Sequence, residues 1–294
     1  MKTKYILVPL IVSLLGCSNR FEYTPRELDS DVNYDNVYLI MGQSNASGVS
    51  QYQYLESYNL ELYQRYMEGN GKVLISYDVD NRIEKNYIPT RFGLGNNETF
   101  FGPEIGIAEV LGQNEETSYI IKATYSGSCL LTQYVDEQGN CFGLYFRFIT
   151  FIKNQLKALE KEGKNPRLRG LFWMQGESDS FQPQSWNYKK AEENFLFRLK
   201  CDLNNWIYDH FNFVDAYIHT RGICWVNPEI INQCKQEIAD ENEHCYCIKT
   251  NGEDNAAITL NLKSDTGEDE NDLAHYDSKS MLLLGQTAGE YLIK

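Results

Sequence analysis

The sequence predicts an α/β fold, a parallel sheet covered by helices on both faces. Three observations carry that prediction. Short apolar runs rich in β-branched and aromatic residues alternate with stretches of helical period. Polar breaks follow three of those runs, at Ser44, Gly127 and Gln175, which puts all three at the carboxyl edge of one sheet, where open α/β sheets hold their ligand crevice. No Pro/Gly/Ser linker and no internal repeat divides the chain beyond its amino-terminal tether, so one domain is expected.

Taken in order, Val37–Met41 is the opening buried strand, broken abruptly by Gly42-Gln43-Ser44-Asn45. Gln51–Met67 carries Leu55, Tyr58, Leu62 and Tyr66 at helical spacing and predicts one buried helix face rather than an aromatic sugar platform. Lys72–Val79 is a second strand. Phe101-Gly102-Pro103-Glu104 opens an apolar helix over Ile105–Leu111, with proline and an acid placed as ordinary capping requires. Ser118–Tyr125 is a strand ending in Ser126-Gly127-Ser128, and Cys141–Gly163 an amphipathic helix with Phe148, Ile152, Leu156 and Leu159 as its stripe. Arg169–Met174 is a strand, Asn187–Tyr208 a long helix, Val214–His219 a strand and Pro228–Asn242 a helix. Short strands are predicted at His244–Lys249 and Ala257–Leu262, then a last helix from Ser278 to Tyr291.

Met1–Cys17 has the form of an export leader. Lys2 and Lys4 make a basic head, Tyr5–Leu15 an apolar core too short to span a bilayer, and Gly16 precedes Cys17. Leu14-Leu15-Gly16-Cys17 resembles the lipobox of bacterial lipoproteins. That resemblance implies lipidation of Cys17 and a protein anchored in the cell envelope. An ordinary signal peptide cut nearby would export the chain as well. Residues 18–33 then form a tether and residues 34–294 the domain.

Lys and Arg number 27 against 41 Asp and Glu, a net charge of −14, with no basic cluster to serve as a nucleic-acid footprint. Outside the cytoplasm Cys129, Cys141, Cys201, Cys224, Cys234, Cys245 and Cys247 can oxidise, and their odd number cannot all pair internally. Cys245-x-Cys247 lacks the second pair and the histidine spacing of a zinc site, so one or two disulfides are expected there. His244 beside it keeps a metal as the lesser alternative.

With Gly42-Gln43-Ser44-Asn45, Gly102-Pro103-Glu104, Trp173-x-Gln175-Gly176-Glu177-Ser178 and Asp272-x-x-His275 in this order, the chain resembles the sialate O-acetylesterase and acetyl xylan esterase branch of the SGNH hydrolases. The resemblance runs from about Asn36 to the carboxyl terminus. It implies a three-layer α/β/α sandwich, flavodoxin-like in outline, with a central parallel sheet. Ser44 is then the nucleophile, His275 its general base, and Asp272 or Glu177 the acid that orients the imidazole. The oxyanion donors implied are the backbone N–H groups of Ser44 and Gly127 and the side-chain amide of Gln175. Gln43, Asn45 and Glu104 are implied substrate contacts. Two departures stand out. The wider superfamily has asparagine at the position of Gln175, and relatives often carry paired glycines where Ser126 precedes Gly127 here.

The chemistry asks for these residue types. A neutral hydroxyl needs a base whose pKa lies near working pH, and histidine supplies it. A carboxylate on the other ring nitrogen fixes the tautomer, and Asp272 and His275 stand three apart, close enough to meet within one turn. No metal or organic cofactor is required. The function expected is removal of O-acetyl groups from a sialate or xylan-type glycan through an acyl-enzyme. The acidic run Glu268, Asp269, Glu270 and Asp272 inclines the substrate toward neutral glycans, unless Arg91 or Arg147 offsets it. The alternative is a glycan-binding lipoprotein without turnover. Sequence leaves the oligomeric state undetermined.

Overall fold

The computed structural model describes residues 25–221, 225–252 and 258–294. The leader, Cys17, the first part of the tether and Cys224 lie outside the described residues.

Strand β1 (Asp35–Gly42) runs into a single helical turn, α1 (Ser44–Ser47), then a short β2 (Ser50–Gln51) and α2 (Leu60–Glu68). Strands β3 (Asn70–Val79) and β4 (Arg82–Thr90) form a hairpin, followed by β5 (Phe100–Phe101) and α3 (Glu104–Leu111). Next come β6 (Ser118–Thr124), α4 (Leu144–Lys161), β7 (Pro166–Met174), α5 (Tyr188–Asp202), β8 (Ile207–Ala216), α6 (Pro228–Glu241) and β9 (Cys245–Ile248). A turn of helix, α7 (Lys263–Thr266), precedes the last helix, α8 (Ser278–Leu292).

The central sheet has seven strands in the order β4-β3-β6-β1-β7-β8-β9, parallel except for the antiparallel edge strand β4. It is covered on both faces, as strand parity on β7 makes visible. The bare Cα of Gly170 leaves room for Leu292 of α8, whereas Trp173 stacks on Phe195 of α5 with ring centroids 4.5 Å apart. Residues an odd number apart in a strand point to opposite faces. Central strands β1 and β6 are buried from Val37 to Gly42 and from Ser118 to Thr124, the continuous burial that a parallel sheet between two helix layers imposes. The expected α/β/α sandwich is the fold observed.

Register brings the three polar breaks together. Gly42 pairs with Thr124 on one side and with Met174 on the other, so Ser44, Gly127 and Gln175 all leave the same edge of the sheet.

Several predicted elements differ. The helix predicted over Gln51–Met67 breaks at Asn59, whose side chain caps α2 by accepting the N–H of Leu62 at 3.0 Å. Leu55, Leu62 and Tyr66 are buried as predicted, but Tyr58, in the break, is 54% exposed. Strand β4 was not predicted: its polar edge position gives no apolar alternation, and only Asp80-Asn81, both at positive φ, marks the hairpin turn. The helix predicted to reach Tyr208 ends at Asp202, and β8 begins at Ile207. His210 therefore lies in a strand, its ring stacked on His244 at 4.8 Å. Of the strand predicted at Ala257–Leu262, only single bridges from Thr259 to Asn251 and from Leu262 to Tyr276 form among the described residues. Cys129, Cys141, Cys201, Cys234, Cys245 and Cys247 are free, which corrects the expectation of disulfides around Cys245 and Cys247. No cluster of metal-ligating side chains occurs among the described residues.

Candidate active site

The opening strand delivers Ser44 to the sheet edge through a tight passage. Gly42 adopts φ +140°, and a Cβ there would lie 2.0 Å from the Met174 carbonyl oxygen, so only glycine lets β1 pass β7 at that point. The Gln43 N–H donates to the same carbonyl at 3.0 Å, which anchors the turn. Ser44 then starts α1, whose N–H groups Ser47 and Gly48 donate back to Gln43 and Ser44 carbonyls at 2.7 and 2.9 Å. The Ser44 side chain is left half-buried at the crevice.

His275 comes from the loop before α8. Its Nε2 lies 3.0 Å from Ser44 Oγ. Its Nδ1 lies 2.9 and 3.0 Å from the two Asp272 carboxylate oxygens. Asp272 Oδ1 also accepts the backbone N–H groups of Ala274 and His275 at 3.2 and 3.1 Å, so the carboxylate shapes the turn that carries the imidazole. Lys263 Nζ donates to Asp272 Oδ2 at 3.0 Å from the other side. Burial works against charge on Asp272, but the hydrogen bond and charge of His275 and the Lys263 ammonium outweigh it and hold the carboxyl well below the usual carboxylate range. An ionised Asp272 in that position selects the tautomer with hydrogen on Nδ1 and leaves Nε2 free to accept from Ser44.

Residues 34–294 match the family model described as carbohydrate esterase, sialic acid-specific acetylesterase. The chain belongs to this family. No curated protein matches it. Among solved structures, this esterase-family chain is similar to a protein from Arabidopsis thaliana at TM-score 0.62 and 15% identity, covering 89% of this chain and 99% of that one. It is similar to NanS at TM-score 0.62 and 14% identity, covering 88% and 97%. A carbohydrate acetylesterase from Xanthomonas citri aligns at TM-score 0.51 and 12% identity, over 72% of this chain and 49% of that one. At such identities the likeness is one of fold.

Within this family member, several other sequence-predicted residues lie in the interior with hydrogen-bond partners of their own. Glu177 does not reach His275 by any hydrogen bond. It is buried, its Oε1 accepts from Asn45 Nδ2 at 2.9 Å, and burial raises its carboxyl above the ordinary range against the pull of that bond. Asn45, expected to touch substrate, is buried as well. Its amide Nδ2 also lies 3.5 Å from the Ala274 carbonyl, and its Oδ1 takes the Tyr276 N–H at 3.4 Å, so it ties the Ser44 turn to the His275 loop.

Gln175, expected to donate to an oxyanion, has its amide committed elsewhere. Nε2 donates to Asp179 and to the Ser128 carbonyl at 3.1 Å, with Gln43 Oε1 at 3.3 Å, while Oε1 accepts from Tyr188 at 2.9 Å. The side chain is fully buried. Gln43 is likewise interior and holds the Gln175 loop, its Oε1 accepting the Ser178 N–H at 3.2 Å. Glu104, the third expected substrate contact, is fully buried. It pairs with Lys122 at 2.6 Å and accepts the Gly102 N–H at 2.9 Å. Charged groups so enclosed survive only when paired, and this pair anchors the loop before α3. By contrast, the backbone N–H groups of Ser44 and Gly127 have no acceptor among the described residues, and Gly127 is exposed.

Sequence reasoning missed Lys263 and Asp179. Lys263 precedes Asp272 by nine residues, a separation without periodic meaning. Asp179 stands four residues after Gln175, and its carboxylate takes the N–H groups of Leu130 and Leu131 at 2.9 Å each. A buried acid spent on a distant loop leaves no local pattern to read.

Proposed function

We propose that the protein is a serine acetylesterase that removes O-acetyl groups from a carbohydrate by way of an acetyl-enzyme. The observation that carries this reading is the unbroken contact from Asp272 through His275 to Ser44 Oγ. His275 Nε2 takes the Ser44 proton as Oγ adds to the acetyl carbonyl. Negative charge on that oxygen is met by the N–H groups of Ser44 and Gly127, both free to donate. The imidazolium returns the proton to the departing sugar oxygen. Water, deprotonated by His275, then attacks the acetyl-Ser44 carbonyl and releases acetate.

A saccharide as leaving group is supported by exposed aromatic side chains on the segment that follows the Gln175 loop. Phe181 is 50% exposed and Trp186 64% exposed, and Trp225 meets Phe181 edge-on at 5.6 Å. Phe181 follows Ser178, which touches Gln43, by three residues, a reach of about 10 Å at most. Three cations that could receive a carboxylate are already committed. Lys263 is paired with Asp272, Arg221 with Asp265, and Arg147 is bound to Asp78 and Asn81. The family description, in contrast, names sialic acid. Acetate release measured across acetylated xylan and O-acetyl sialoglycans separates the two. Phe181→Ala is expected to raise KM several-fold on the preferred glycan and leave a small chromogenic acetate unaffected. Saccharide binding with no acetate release from any member of the panel would make the protein a binder instead.

The leader supports an exported, lipid-anchored form of this esterase. Fatty-acid labelling of the expressed protein is expected and should vanish in Cys17→Ser. Labelling that persists in that variant would remove the anchor from Cys17.

A further inference from the structure

The loop that bears Gly127 is steadied from outside its own strand. Gly127 takes φ +68°, and a Cβ there would meet nothing within 4 Å, so the loop is open at this residue. The direction of its N–H is set by its neighbours. On one side the Ser128 N–H donates to the Tyr125 carbonyl at 3.2 Å. On the other, Asp80 grips Ser126 by two atoms: Oδ1 accepts the Ser126 N–H at 2.6 Å and Oδ2 accepts the Ser126 hydroxyl at 2.7 Å. A carboxylate bound twice is a stronger and more directional clasp than two neutral contacts.

Asp80 is itself held. It occupies the two-residue turn between β3 and β4, and its N–H donates to the Thr124 carbonyl at 3.2 Å, at the end of β6. Arg147 of α4 braces the same turn, donating to Asp78 Oδ2 at 2.9 Å and to Asn81 Oδ1 at 2.8 Å, with its guanidinium 5.8 Å from the Tyr125 ring centre. The hairpin, the sheet edge and α4 thus converge on the residue immediately before Gly127.

We propose that Asp80 is a positioning residue for the oxyanion site: through Ser126 it aims the Gly127 N–H at the carbonyl oxygen of the substrate. This rests on the reading of Gly127 as a donor in acetyl transfer. Serine in place of the first of two glycines then has a physical reason, because glycine would offer Asp80 no hydroxyl to hold.

The test compares wild type with Asp80→Ala, Asp80→Asn and Ser126→Ala on a chromogenic acetate ester. Asp80→Ala is expected to lower kcat about 10- to 100-fold, the range a misaimed oxyanion donor commands, with KM within about twofold. Affinity for a trifluoromethyl ketone, which adds to Ser44 as a tetrahedral alkoxide, should fall in step with kcat. Asp80→Asn keeps an oxygen for the Ser126 N–H and should recover most of both, and Ser126→Ala should fall between. Hydrogen exchange over residues 126–128, read without turnover, should quicken in Asp80→Ala. Folded Asp80→Ala protein with unchanged kcat and ketone affinity, or with unchanged exchange in that loop, overturns the proposal and leaves the esterase reading intact. Should Asp80→Ala not fold, a loss of kcat and ketone affinity in Ser126→Ala as small as the error of measurement overturns it instead. A wild-type protein inert toward every acetate ester overturns the esterase reading first, and with it the role of Gly127.

Discussion

Ser44→Ala is expected to lower kcat on an acetate ester by about 10⁴- to 10⁶-fold, the scale on which loss of a triad nucleophile is felt, with little change in KM or Tm. The side chain makes one hydrogen bond, to His275, and sits half-buried at the crevice, so its removal leaves neither a cavity nor a stranded interior group. What disappears is the atom that carries the acetyl group. Backbone donors at residues 44 and 127 survive the substitution, so a residual rate above that of water is also expected. Mass spectrometry of enzyme quenched during turnover should find acetyl on Ser44 in wild type and none in the variant. A variant that keeps within tenfold of the wild-type rate would place the nucleophile elsewhere.

Much of this site could be read from the chain because the sheet orders it. Parallel strands present their carboxyl ends together, so polar breaks after β1, β6 and β7 had to share an edge, and the register of Gly42 with Thr124 and Met174 makes that literal. The Asp272–His275 pair was legible for a different reason: three residues in one turn meet without help from the rest of the fold. Roles that depend on distant partners were not legible. Whether the Gln175 amide faces a substrate or the interior is decided by Tyr188, Asp179 and Ser128, on other segments, and the answer is the interior. Glu104 carries a family motif, yet Lys122 on β6 makes it a buried ion pair. Strand β4 escaped notice because an edge strand with a solvated face and a proline, Pro89, has neither alternation nor composition to betray it. The Asp80–Ser126 clasp needs that unseen hairpin, so it too was beyond sequence reasoning.

Asp272→Asn is expected to cost about 10⁴-fold in kcat, since an amide no longer fixes the Nδ1–H tautomer or stabilises the imidazolium. Glu177→Gln should cost about tenfold or less, because it weakens the hydrogen bond from Asn45 without removing its acceptor. Glu177 uses Oε1 to accept from Asn45, an acceptor that glutamine retains, and its Oε2 has no partner to lose. Stability against pH gives a second reading of Asp272. Its folded-state pKa is depressed, so its contribution is complete above the ordinary carboxylate value of about 3.9 and is lost only as pH falls through the lower folded value. The stability gap between wild type and Asp272→Asn, followed by urea unfolding, should narrow as pH falls below about 4. A gap that does not narrow there would mean that the carboxyl is not held ionised by His275 and Lys263. A fall in kcat larger for Glu177→Gln than for Asp272→Asn would make the buried glutamate, and not the aspartate in contact with the ring, the partner of His275.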